Sequence, residues 1–207
     1  MKSSPQSKTQ KPKFIIRVRL IGGETESFAP ANETEAQRIW EQIEPARLFA
    51  SGRLILAGDH SKSVFVSEHI LRVDFIQDRY ACWEFPEGYS DIVELSEKEF
   101  RKNAHLDQPK KMAKRQQPTP AGDLLVSFLK FNMMDGSSLY LMAEFAVGLP
   151  IENQSFMKFL LGKGGVHFRL RGGGFGVLNL ANLVSYTVYP GVAELPSDAW
   201  LVEPFKF

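Results

Sequence analysis

A chain of 207 residues that is 43% apolar and 12% aromatic is long enough to bury a real core, in one large domain or two small ones. Its longest apolar stretches, such as Leu124 to Phe131 and Phe159 to Leu161, are broken by Ser127, Lys130 and Lys163 and fall far short of the ~20 residues that span a bilayer, so no transmembrane helix is expected, nor a membrane partner. The net charge of +1 hides a segregation: Lys2, Lys8, Lys11 and Lys13 meet no acid in residues 1–13, Arg101, Lys102, Lys110, Lys111, Lys114 and Arg115 meet only Asp107 in residues 101–122, and the acidic excess falls mainly on residues 14–100.

Residues 1–13 lack apolar content and read as a disordered basic tail, with no apolar region behind them that would make a secretory signal. Phe14 to Leu20 is predicted as a strand, Gly22-Gly23 as a turn and Glu24 to Phe28 as the returning strand. A helix is predicted over Glu33 to Ile43, because Ala36, Ile39, Trp40 and Ile43 recur at spacings of three and four and Asn32 offers an N-cap. Leu54 to Ala57, Ser63 to Val66 and Leu71 to Ile76 read as three more strands, and Asp78-Arg79 turns the chain into another strand-like stretch, Tyr80 to Phe85. Ser96 with Glu99 three positions on has capping-box form and starts a short helix ending near Ala104. Pro109, Pro118, Pro120 and the basic run then mark residues 103–122 as a linker. Beyond it, strands are expected at Leu125 to Asn132, Ser138 to Met142, Val166 to Leu170, Val177 to Leu180 and Val184 to Tyr189, with a turn at Asp135-Gly136 and a helix, if any, at Glu152 to Leu161.

The two halves resemble one another at a single fixed shift. The shift that carries Gly23 onto Gly136 also carries Gly52 onto Gly165, and it lays Phe28, Val64, Phe65, Ile70 and Phe75 on Leu141, Val177, Leu178, Leu183 and Val188. The expected fold is therefore α+β and mainly antiparallel: two tandem copies of a β-β-α-β-β-β unit, at residues 14–102 and 123–207, packed with pseudo-two-fold symmetry.

Chemical signatures are sparse. Arg169, Arg171, Gly172, Gly173 and Gly174 place two guanidiniums beside three glycines, a combination that brings backbone amides close to an anion. The run lies between two predicted strands and lacks both dinucleotide-binding and phosphate-loop spacing, so a glycine-rich β-turn is favoured. Gly162-Lys163-Gly164-Gly165 is not followed by Ser or Thr and also reads as a turn. Asp59-His60-Ser61 has the residue types of a hydrolase triad, but neighbours in one tight turn cannot converge as a relay. His60, His69, His105 and His167 show no metal-ligand spacing, and neither metal nor cofactor is expected. His69, at the start of a strand, takes a structural turn or capping role. Cys82, the single cysteine, reads as an inert thiol beside Trp83; with no internal disulfide available, a reducing compartment and hence the cytoplasm is expected.

These readings order the functions. First comes a non-catalytic interaction or assembly protein that presents two β-rich modules to a protein partner or to itself. Second comes nucleic-acid association through the tail and linker, with Lys110, Lys111, Lys114 and Arg115 as the binding residues. Third comes a small-molecule binder or enzyme with an anion site at the Gly172 turn.

Overall fold

The computed structural model describes residues 14–58, 60–85, 89–104, 106, 124–146, 163–189, 200 and 202. Among the described residues eleven strands and two α-helices run in chain order: β1 (Phe14–Leu20), β2 (Thr25–Phe28), α1 (Glu33–Gln42), β3 (Arg53–Ala57), β4 (Lys62–Val66), β5 (Ile70–Gln77), β6 (Tyr89–Leu95), α2 (Glu97–Asn103), β7 (Leu124–Met133), β8 (Ser138–Ala146), β9 (Gly165–Arg169), β10 (Phe175–Asn179) and β11 (Leu183–Tyr189). The class is α+β, dominated by a nine-stranded sheet of order β11-β7-β8-β6-β9-β10-β5-β1-β2; β3 and β4 form a separate hairpin. Pairing is antiparallel except for the short parallel contact of β6 with β9. Among the described residues no helix is long and apolar enough to cross a membrane.

Local signals account for most elements. Asn32 caps α1 by accepting from the Glu35 amide, and the helix buries Ala36 and Trp40. Ser96 and Glu99 form a complete capping box on α2, which buries Phe100. Two expectations differ. Tyr80 to Phe85 forms no strand, because its rings turn inward: Trp83 stacks on Trp40 at 4.2 Å and Tyr80 stacks on the same indole at 5.5 Å. The strand of this region is instead β6, which lies between β8 and β9. The helix at Glu152 to Leu161 and most of the tail and linker lie outside the described residues.

One hydrogen-bond pattern occurs twice. β1 and β5 pair as Leu20↔Ile70 and Arg19↔Arg72, skipping Leu71. β7 and β11 pair as Met133↔Leu183 and Asn132↔Ser185, skipping Val184, so that every residue of the pattern recurs at the shift that carries Gly23 onto Gly136. Those two glycines turn the two hairpins at φ +84° and +80°, values that glycine adopts freely. The Ile21 amide donates to the His69 carbonyl as the Met134 amide donates to that of Asn182, both at 3.0 Å.

The sheet is continuous because β10 lies against β5, in the register Phe175↔Phe75, Val177↔Val73 and Leu178↔Arg72. Phe175 and Val177 enter the core under α1, whereas Leu178 enters a second core between β7, β8 and β9. Alternation along one strand thus ties two cores together. At the end of β10, the Asn179 side-chain amide donates to the Ser67 and Ile70 carbonyls at 2.7 and 2.9 Å, and just beyond it that of Asn182 donates to Ile70 at 2.7 Å. Among the described residues the junction is one-sided: β4 pairs only with β3, and β11 ends the sheet.

Candidate functional site

The residues with the most chemistry gather on the two faces of the sheet where β6, β9, β10 and β5 lie side by side. On the face toward the second core, the Arg72 guanidinium is buried between two carboxylates, 2.8 Å from Glu94 Oε1 and 2.8 Å from Asp74 Oδ1. Arg19 adds a second cation to Asp74 at 3.0 Å. Burial works against the Arg72 charge, but Asp74 and Glu94 outweigh it and hold the guanidinium above its ordinary value. Its carbon also lies 5.4 Å from the centre of the Phe168 ring. Gly176, opposite Asp74, makes room for both groups, since a Cβ there would come within 2.5 Å of Phe168 and 3.1 Å of Asp74. The four charged groups thus pair with one another across β1, β5 and β6.

The opposite face is aromatic. Trp83 packs between Trp40, Phe75 and Phe175, and Phe85 stacks on the His167 ring at 4.7 Å. Burial holds His167 neutral far below its ordinary 6.5, down to about 4, with a hydrogen bond to the Trp83 backbone pulling the other way and Lys163 adding a little to the depression. Between these values the unfolded chain binds a proton that the folded chain refuses. Stability is therefore whole above pH 6.5 and falls as pH drops toward 4, by about 3 kcal/mol in all. Urea denaturation at pH 7, 5.5 and 4.5 should show that fall in the wild type and a shallower one in His167→Phe; equal slopes would remove His167 from the account. The Cys82 thiol is half-buried, held above its ordinary value by burial, and donates to the Trp83 carbonyl at 3.1 Å, an environment that disfavours the nucleophilic thiolate.

The Gly172 turn joins β9 to β10. The Leu170 amide donates to the Gly174 carbonyl at 3.0 Å and that of Gly173 to Leu170 at 3.2 Å, while Gly173 and Gly174 take φ of +95° and +88°. Arg169 Nε donates to Asp91 at 2.7 Å, with its guanidinium 5.5 Å from the Phe175 ring centre. Arg171 lies 3.3 Å from Glu99 at the start of α2. The structure thus gives each arginine a carboxylate partner and uses the turn to connect two strands. Lys110, Lys111, Lys114 and Arg115 lie outside the described residues. His69 ends the 3₁₀ turn Ser67–His69 that leads into β5. Asp59 lies outside the described residues, and the described ones contain no group of three or more His, Cys, Asp or Glu placed to hold a metal ion.

An open groove of about 750 Å³ lies between α1 and β3, with Phe28, Ile39, Ile43, Leu54 and Leu56 in its walls. Close by, the outer face of the β3–β4 hairpin shows Ile55, Val64 and Val66 to solvent, and β11 shows Val184 and Tyr186. Sequence periodicity marks each of these positions as a strand residue but not as one left uncovered. Compared with known proteins, the chain matches no family model, no curated protein and no solved structure.

Proposed function

We propose that the protein is a non-catalytic interaction or assembly protein, made of two related β-rich modules that present strand edges to a protein partner or to a second copy of the chain. One observation carries the reading: β4 and β11, each with one edge that no described strand pairs, also hold exposed large apolar side chains, and unpaired edges are templates for strand addition. The recurrence of one register and one bulge at a constant shift supports descent of the modules from a single unit. The charged groups of the interior pair with each other, and Arg169 and Arg171 of the Gly172 turn already hold carboxylates, which weighs against an anion-binding or enzymatic reading.

The test is an affinity pull-down of the full chain from its native lysate at low and high salt, with retained protein and nucleic acid both identified. A stoichiometric protein that survives high salt is the expected result. Nucleic acid retained only at low salt would overturn the reading in favour of binding through Lys110, Lys111, Lys114 and Arg115, and an empty pull-down together with a monomeric chain would reject it outright.

A further inference from the structure

The β10–β5 junction is a template for a contact that the described residues do not make. Replacing each partner of that junction by its counterpart in the other half, β4 for β10 and β11 for β5, places Lys62 opposite Val188, Val64 opposite Tyr186 and Phe65 opposite Ser185. Among the described residues neither strand has a second partner. The exposures follow the same correspondence. Val177 and Val73, paired within the chain, are each 0% exposed, whereas Val64 and Tyr186 are 51% and 38% exposed. Val66 and Val184, at the near ends of the two strands, are also in solvent.

The composition of the edges points the same way. β11, LVSYTVY, contains no charge and no proline, the usual devices that keep an edge strand from pairing. The other outer strand of the sheet, β2, is flanked and interrupted by Glu24 and Glu26. A long uncharged edge of high β-propensity is stable in solution when something covers it.

We propose that this protein assembles head to tail with itself, the β4 edge of one copy adding to the β11 edge of the next in the register Val64 opposite Tyr186. The inference rests on the interaction reading above and names its partner: a second copy, because donor and acceptor edges sit on the same chain and match a junction the chain already makes. Each copy carries one donor and one acceptor, so the assembly extends or closes into a ring or reciprocal dimer. The added strand would lay Val64 over Tyr186 and the neighbouring Phe131 ring, closing the second core as Val177 closes the first.

Light scattering coupled to size exclusion, on full chain at about 100 μM so that a micromolar-range Kd is visible, should give wild type at twice the monomer mass or more. Val64→Asp destroys the donor edge and Tyr186→Asp the acceptor edge. Each variant alone should run as a monomer with wild-type circular dichroism, and their equimolar mixture should form a pair and nothing larger, since one intact edge of each kind remains. A chain bearing both Val64→Cys and Tyr186→Cys should form disulfides between copies. Monomeric wild type, variants that assemble like wild type, a mixture that stays monomeric, or a disulfide closing within one chain would each overturn the proposal. A monomeric wild type that still retains a stoichiometric protein in the pull-down rejects self-pairing alone and leaves the broader interaction reading standing.

Discussion

Arg72→Met should destabilise the protein by about 3–5 kcal/mol, the cost of leaving a buried carboxylate without its partner. Asp74 is all but inaccessible and holds Arg72 and Arg19; Glu94 reaches the same guanidinium from β6. Methionine keeps much of the arginine's apolar stem, so the loss reports the charge more than the packing. The check is a comparison of urea midpoints for wild type, Arg72→Met and the triple variant Arg72→Met, Asp74→Asn, Glu94→Gln. Removing all three charges together should recover more than half of the loss, because no uncompensated ion then remains inside. A single variant within about 1 kcal/mol of wild type would mean that water or Arg19 satisfies Asp74, and a triple variant no better than the single would make the effect one of packing.

The strands that alternate cleanly were legible in the sequence, and so were the two helices with side-chain caps, since those signals are local. β6 was not. In YSDIVEL the acids Asp91 and Glu94 interrupt the alternation, and the reason they are tolerated is remote: Asp91 meets Arg169 and Glu94 meets Arg72 across other strands. The stretch Tyr80 to Phe85 misled for the complementary reason, since aromatic content favours a strand in isolation, but here the rings fill a core without joining a ladder.

The same distinction governs the candidate site. Arg169 and Arg171 stand out in sequence as cations beside glycines, and nothing local indicates that Asp91 and Glu99, far upstream in the first half of the chain, occupy them. Apolar residues on β4 and β11 read as ordinary core positions, because pattern tells which face a side chain takes and not whether a neighbouring strand arrives to cover it. Only the pairing of strands supplies that information: Val177 and Val73, which face each other across β10 and β5, are inaccessible, whereas Val64 and Tyr186 are exposed.

Gly174→Ala should be the most damaging of the small substitutions, with a loss of roughly 4 kcal/mol or more. Two costs combine. Gly174 has φ +88°, which strains any residue with a Cβ, and that Cβ would stand 2.1 Å from the Phe75 carbonyl oxygen and 2.9 Å from the Gln77 amide nitrogen. Those atoms are backbone of β5 and cannot rotate away, so the first residues of β10 must withdraw from β5, loosening Phe175 and Val177 from the core they share with Trp40 and Phe75. Gly172→Ala, in the same turn, meets nothing within 4 Å and has no positive φ, so it should stay within about 0.5 kcal/mol of wild type. Urea midpoints of the two variants separate the causes: a large loss at 174 with none at 172 assigns the glycine to close strand packing, whereas equal losses would assign it to the turn as a whole.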